Sequence, residues 1–471
     1  MRSFRDAYPR CSIVLAVALG LMVVSSTTAA QQRMSNHTNA GTEAKRALSP
    51  TVAGDRASDI EALRLVIRRL EARIAELEAR LENVDERTAR NEREVARTET
   101  TAARVTDELR QWKKHEAESR PLLNFFKRTE IRGSIDGYYA FNVNRPALAV
   151  VDDLAGTGNQ LYPFAHAHNQ FTLNLAKFTI ERTPDRQSPI GFTLDLAFGP
   201  AAEVVHAAEP GGDGIFRHVQ QAYVSYLAPI GHGLKLDFGK FVTPIGAEVI
   251  ESQDNWNYSR GLLFSWAIPF YHFGARATYQ WDTVSLSGFL LNGWNNVVDN
   301  NSGKTFAVQV AWQPHPRFQW VQNYMAGPEN AGDRHNVRHL VDSIVTYKAT
   351  DQLSLMLNYD YGMDRLLDGS RVFWTGWAAY ARYALTPRWA LASRLEWFND
   401  HDGFATGVAQ RVKEFTLTSE FRLHRHLITK FEIRSDWSDR EFFRNGGGSA
   451  KRSQLVSLIG LAITFGSNED R

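Results

Sequence analysis

GKFVTPIGAEVIESQDNWNYSRGLLFSWAIPFYHF, residues Gly239–Phe273, is the stretch that decides the fold. Before it, Leu234, Leu236 and Phe238 alternate with Lys235 and Asp237. After it, Phe273, Ala275, Ala277, Tyr279 and Trp281 alternate with Arg276, Thr278 and Gln280. A period of two marks strands with one apolar and one polar face. Between these strands the alternation lapses for about thirty residues, too long for a hairpin turn and too rich in Gly and Pro for a helix. Between two membrane strands, such a segment is a loop folded into the mouth of a β-barrel, where it narrows a pore.

Working outward, the same period holds from about Arg128 to the C-terminus. The first strand sets Ile131, Gly133, Ile135, Gly137, Tyr139 and Phe141 against Arg132, Ser134, Asp136 and Tyr138. Later apolar rows include Phe192/Leu194/Leu196/Phe198, Leu353/Leu355/Leu357/Tyr359/Tyr361, Phe415/Leu417/Ser419/Phe421/Leu423 and Leu455/Ser457/Ile459/Leu461/Ile463/Phe465. Connections alternate in length: short near 229–233, 282–283, 313–316, 349–352, 386–388 and 424–426, long near 143–168, 200–216, 242–272, 294–303, 327–336, 362–371, 399–410 and 438–452. Outer-membrane barrels join strands by short periplasmic turns and long outer loops. The predicted architecture is therefore an all-β transmembrane antiparallel barrel of about 16 strands over 128–471, with the segment at about 242–272 as its third outer loop. Trp281, Trp312, Tyr383, Trp389, Trp397 and Trp437 stand where apolar rows end, the expected level of an interfacial girdle. The other face carries both signs of charge, among them Arg132, Asp136, Lys235, Asp237, Arg276, Arg394, Glu396, Glu414, Lys430, Glu432 and Arg434, as a water-filled lumen requires.

Bulk properties agree. The only long apolar run of the 471 residues is at the N-terminus and mean hydropathy is −0.35, which excludes a helical-bundle membrane protein but not a barrel. A net charge of +2 gives no lean toward nucleic acid. Residues 1–30 read as a signal peptide: Arg2, Arg5 and Arg10, then the apolar core Ile13–Val24, then the small residues Ser25–Ala30. The single cysteine, Cys11, falls inside that segment, so the exported chain would hold neither disulfide nor thiolate–metal site. Residues 31–57 are a disordered spacer by composition.

Over 58–120 the period changes to heptads. Ile60, Ile67, Ile74 and Leu81 fall at a, and Leu63, Leu70 and Leu77 at d. Arg73, Arg80 and Arg87 at g are each followed five residues later by Glu78, Asp85 and Glu92 at e. Those pairs attract between parallel chains and repel between antiparallel ones, so the prediction is a parallel self-associating coiled coil ending after Pro121. Strand topology would place it in the periplasm.

Gln221-Ala222-Tyr223, Gly239-Lys240-Phe241 with Thr243, Gly246-Ala247-Glu248, Asn257-Tyr258-Ser259-Arg260, Pro269 with His272 and Gly274, and Asn292-Gly293-Trp294 together resemble the bacterial outer-membrane porins of the beta-barrel porin-2 type. The resemblance implies passive uptake of small hydrophilic solutes or ions across the outer membrane. From the residues themselves, the pore constriction would set Glu248, Glu251, Asp254 and Arg260 of the loop against the wall residues Lys235, Arg276 and Arg132. Two alternatives stay open: an adhesive or structural tether worked by the coiled coil, and a solute-specific channel. No nucleophile motif marks an enzyme, neither His166/His168 nor Asp400-His401-Asp402-Gly403 completes a metal ligand set, and no cofactor is expected.

Overall fold

The computed structural model describes residues 56–147, 158–209 and 214–467. The expected signal peptide and the spacer up to residue 55 lie outside the described residues.

Two compact units meet at Lys113/Lys114. The first is occupied by helix α1, Arg56–Arg128, which continues into the second. Arg, Glu, Ala and Leu dominate it, all strong helix formers. Ile60, Leu63, Ile67, Leu70, Ile74, Leu77 and Leu81 are all exposed, so the helix covers none of its own apolar stripe. Arg73 and Arg80 both bind Glu76 of the same helix at 2.6 Å, pairs of little energetic weight at such exposure. Contrary to expectation the helix does not stop at Pro121 but runs on to Arg128. A proline forfeits one N–H bond and crowds one carbonyl, a penalty confined to its own turn.

The second unit is a closed antiparallel barrel of sixteen strands. The first eight are β1 (Glu130–Asn142), β2 (Gln170–Arg182), β3 (Ile190–Phe198), β4 (Val219–Ala228), β5 (Leu234–Val242), β6 (Tyr271–Trp281), β7 (Val284–Leu291) and β8 (Thr305–His315). The other eight are β9 (Phe318–Pro328), β10 (Val337–Lys348), β11 (Leu353–Arg365), β12 (Arg371–Thr386), β13 (Trp389–Asp400), β14 (Gln410–His424), β15 (Leu427–Ser438) and a closing strand, Ser453–Gly466. The closing strand pairs on one side with β15, Lys430 opposite Gly460, and on the other with β1, Asp136 opposite Ala462. Short turns such as 282–283, 316–317 and 425–426 lie between long connections, as the alternating lengths predict. One departs from the reading: β11 and β12 extend through Arg365 and from Arg371, so their connection is a five-residue turn, 366–370. Phe443–Arg444 and Ala450–Lys451 add a small separate ladder within the last long connection.

Burial is inverted relative to a water-soluble protein. On β1, Ile135 is 44% exposed and the adjacent Asp136 1%; on β14, Leu417 is 47% exposed and Thr418 0%. Strands with an apolar outer row and a polar inner row are what a bilayer outside and a polar interior select. Leu417 lies at the middle of β14. Leu417→Arg should therefore cost about 2–4 kcal/mol in folding free energy. Denaturant titration of folding into lipid vesicles measures this, and an unchanged midpoint would contradict a lipid-facing row.

Candidate functional site: the third loop and its wall contacts

Between β5 and β6 the chain runs through residues 243–270, and its base is closed by Thr243 N–H donating to Phe270 O at 2.9 Å. Pro244 and Gly246, the latter at φ +93°, turn the chain out of the ladder. Beyond Gly246 the loop has no ladder of its own, only a 3₁₀ turn, Ser252–Asp254, and a π turn, Leu263–Ala267. A buried segment without secondary structure must find partners for its backbone elsewhere.

Those partners come from the polar face of distant strands. Gly246 N–H donates to Asp342 at 3.3 Å and Ala247 N–H to Asn358 at 3.2 Å, which ties the first turn to β10 and β11. Tyr258 N–H and Ser259 N–H donate to the Glu432 carboxylate of β15 at 2.7 and 3.1 Å. Leu262 N–H and Leu263 N–H donate to Glu396 of β13 at 2.6 and 3.3 Å. Cationic side chains take the carbonyls: Arg394 donates to Ser259 O at 2.6 Å, Arg434 to Arg260 O at 2.8 Å, and Lys430 to Ser252 O at 2.8 Å and also to Asn255 O. Asn257 reaches Thr418 of β14 at 2.7 Å, while Ser252 and Tyr258 donate their hydroxyls to Asp136 of β1. The loop is thus fastened to β1 and to β10–β15.

Side-chain charges close the network. Glu248 accepts from Arg394 at 2.6 Å and from Gly261 N–H at 2.6 Å, and Arg394 also donates to Glu414 at 3.0 Å, all out of contact with water. Glu251 accepts from Lys177 of β2 at 2.5 Å and Gln220 at 2.8 Å. Burial alone would raise the Glu251 carboxyl, but Lys177 outweighs it and holds it below the ordinary carboxylate value. Arg260 is buried and donates to Tyr258 O at 2.6 Å and Ile250 O at 2.7 Å, with its guanidinium 4.8 Å from the Phe164 ring centre.

Of the four loop residues expected at the constriction, Glu248 and Arg260 are buried fastenings, Glu251 is half-buried in an ion pair, and Asp254 is exposed. The expected wall residues pair with acids of the wall rather than with the loop. Lys235 and Arg276 flank Asp237 at 3.3 and 2.8 Å, and Arg132 binds Glu181 at 2.8 Å and Glu130 at 3.4 Å. The bases that meet the loop directly are Lys177, Arg394, Lys430 and Arg434. Three of these belong to the alternating charges of the lumen face, but their pairing with the loop carries no sequence signal. Lys177 is hidden in the strand Gln170–Arg182.

The second half of the loop is apolar and forms the core. Phe264 and Phe270 meet Phe164 from the connection after β1, the three ring centres 5.5 Å apart in each pair. Ala201, Ala202 and Val205 of a short helix α2, Pro200–His206, join them, with Trp374 and Phe398 from the wall. Glycines in the wall make room: a Cβ at Gly376 would overlap Leu263, and one at Gly460 the Tyr258 ring.

Arg394→Met would strand Glu248 as a buried carboxylate without its cation and leave Glu414 only Arg434 at 3.7 Å. It should cost about 3–5 kcal/mol in unfolding by denaturant, and adding Glu248→Gln should return part of that. A loss under about 1 kcal/mol would contradict the fastening role.

Comparison with known proteins is consistent with this geometry. Residues 128–465 match the family model described as "Putative beta-barrel porin-2, OmpL-like". Among solved structures, the chain is similar to an anion-selective porin from Comamonas acidovorans at 11% identity and TM-score 0.50, covering 72% of this chain and 99% of that one. It is also similar to the outer membrane channel DcaP of Acinetobacter baumannii, at 10% identity and TM-score 0.47, with 72% and 97% coverage. Pseudomonas putida OprB matches at 12% identity and TM-score 0.46, with 74% and 97% coverage. At 11% identity the likeness to the Comamonas acidovorans porin is one of fold. No match was found among curated protein sequences.

Proposed function

Because this chain belongs to the OmpL-like beta-barrel porin-2 family, we propose that it is an outer-membrane porin, not an enzyme, in which small hydrophilic solutes or ions diffuse passively past the third loop. The observation that carries the reading is the fastening of that loop to β1 and β10–β15 by groups on the polar face of the wall. A loop so held takes up cross-section that the barrel would otherwise leave open, and in a channel the narrowest section dominates passage. On the loop Asp254 is an exposed carboxylate, and on the wall Arg132 and Lys235 are bases with partly exposed side chains, whereas Asp237 is buried. An exposed acid on the loop with bases on the wall would set a transverse field for polar solutes.

Single-channel recording in planar bilayers tests this. Stepwise water-filled conductance is expected, and Asp254→Asn should shift the reversal potential in a salt gradient toward anions while conductance changes little. A barrel that never conducts would favour the structural tether instead, and saturation of current by one solute would favour a specific channel.

The unpartnered stripe of α1 supports a further part of the proposal: parallel self-association in the periplasm through Ile60, Leu63, Ile67, Leu70, Ile74, Leu77 and Leu81. Apolar residues repeating at a and d along one helix bury their surface only against another helix. Introducing Leu70→Glu with Leu77→Glu should lower the cross-linked oligomer yield of the exported protein, and an unaltered yield would remove the stripe from assembly.

A further inference from the structure

Acids and bases share the wall of the barrel but do not meet water equally. Among the described residues, every acid on the sixteen strands is buried except Glu130 and Glu181, and Arg132 lies against these two at 3.4 and 2.8 Å. Of the strand bases, only Lys240, Arg394, Lys430 and Arg434 are buried. A carboxylate on a short stem is covered by the longer basic side chains that reach over it, while their charged heads stay in water.

Two clusters concentrate this asymmetry. On β5 and β6, the buried Asp237 lies between Lys235 at 3.3 Å and Arg276 at 2.8 Å. On β12 and β14, the buried Glu420 lies between Arg382 at 2.9 Å and Arg422 at 3.4 Å. These four bases keep between 19% and 46% of their side chains exposed. Each cluster sets two water-facing bases over one covered acid, so the charge it presents is positive. Lys430 lies 3.6 Å from Glu420 and also donates to Ser252 O, which puts the second cluster beside the third loop. In the closed order of strands, β5 stands eight places from β13, the strand between β12 and β14. The two clusters therefore occupy opposite sides of the wall. On the loop, Lys177 holds Glu251, and Asp254 is the exposed acid that opposes these bases.

Low-dielectric walls concentrate the field of such charges in a narrow aqueous passage, and Arg and Lys around a pore favour anions. We propose that the lumen passes small anions in preference to cations, and that Lys235, Arg276, Arg382 and Arg422 set the preference. The inference deepens the porin reading and rests on it, naming the charge class of the solutes.

Reversal potentials of the purified exported chain in planar bilayers test it, in a ~10-fold KCl gradient at or below ~0.1 M, where the Debye length is ~10 Å or more. The chloride-to-potassium permeability ratio should exceed ~2. Lys235→Gln with Arg422→Gln removes one water-facing base from each cluster and leaves Asp237 its Arg276 and Glu420 its Arg382. This double variant should lower the ratio at least ~1.5-fold. Lys413→Gln, which removes an exposed base from the outward row of β14, should leave it unchanged. Heat-modifiable gel migration shows that each variant still forms a barrel, and either single substitution serves if the double variant does not fold. A conducting channel with a ratio at or below ~2, a smaller fall in the folded variants, or an equal fall in Lys413→Gln would overturn this inference alone. A barrel that never conducts would overturn the porin reading and this one together.

Discussion

A loop can lie buried inside a barrel only if each backbone amide and carbonyl it withdraws from water finds a partner there. That constraint governs the interior of this protein. With no strand neighbour available, the third loop takes its acceptors from Glu396 and Glu432 and its donors from Arg394, Arg434 and Lys430. Charges placed in a dry interior must in turn satisfy one another, so Arg394 is held between Glu248 of the loop and Glu414 of the wall. The ionic cluster is a consequence of burying the loop. Removing one member leaves the others worse off than if none had been there.

The two halves of the loop meet this constraint differently. Up to Arg260 the loop is held chiefly by hydrogen bonds with β1, β13 and β15, while Ile245 and Ile250 join the core. From Leu262 to Phe270 the side chains, Ser265 apart, are apolar and are held by packing against Phe164, α2 and Trp374. The hydrophobic core of the barrel therefore sits at this loop and the connections around it, while the apolar rows of the strands face outward.

Exposure, not composition, sets what a solute would meet. On the polar face of β5 and β6, Asp237 is buried while Lys235, one of the two bases that flank it, is half-exposed. Charge counts along the strands register the acid and the bases equally, and so give no sign to the lumen. Water reaches the two kinds unequally, because a short acid between long basic side chains is covered by them.

Period-two alternation from Ile131 to Phe465, and the alternating lengths of the connections, determined the barrel and its strand number, because a wall between lipid and water fixes each residue's face by its parity alone. Heptad spacing likewise determined the helix, though not its passage through Pro121, where the cost of one lost donor is too local to end it. Tertiary structure alone decided that Glu248 meets Arg394 across 146 positions, that Glu251 meets Lys177, and that Lys235, Arg276 and Arg132 pair with wall acids instead. No local periodicity records which side of a closed ring an irregular loop will reach. That outcome is set by closure of the barrel and by the demand of each buried group for a partner.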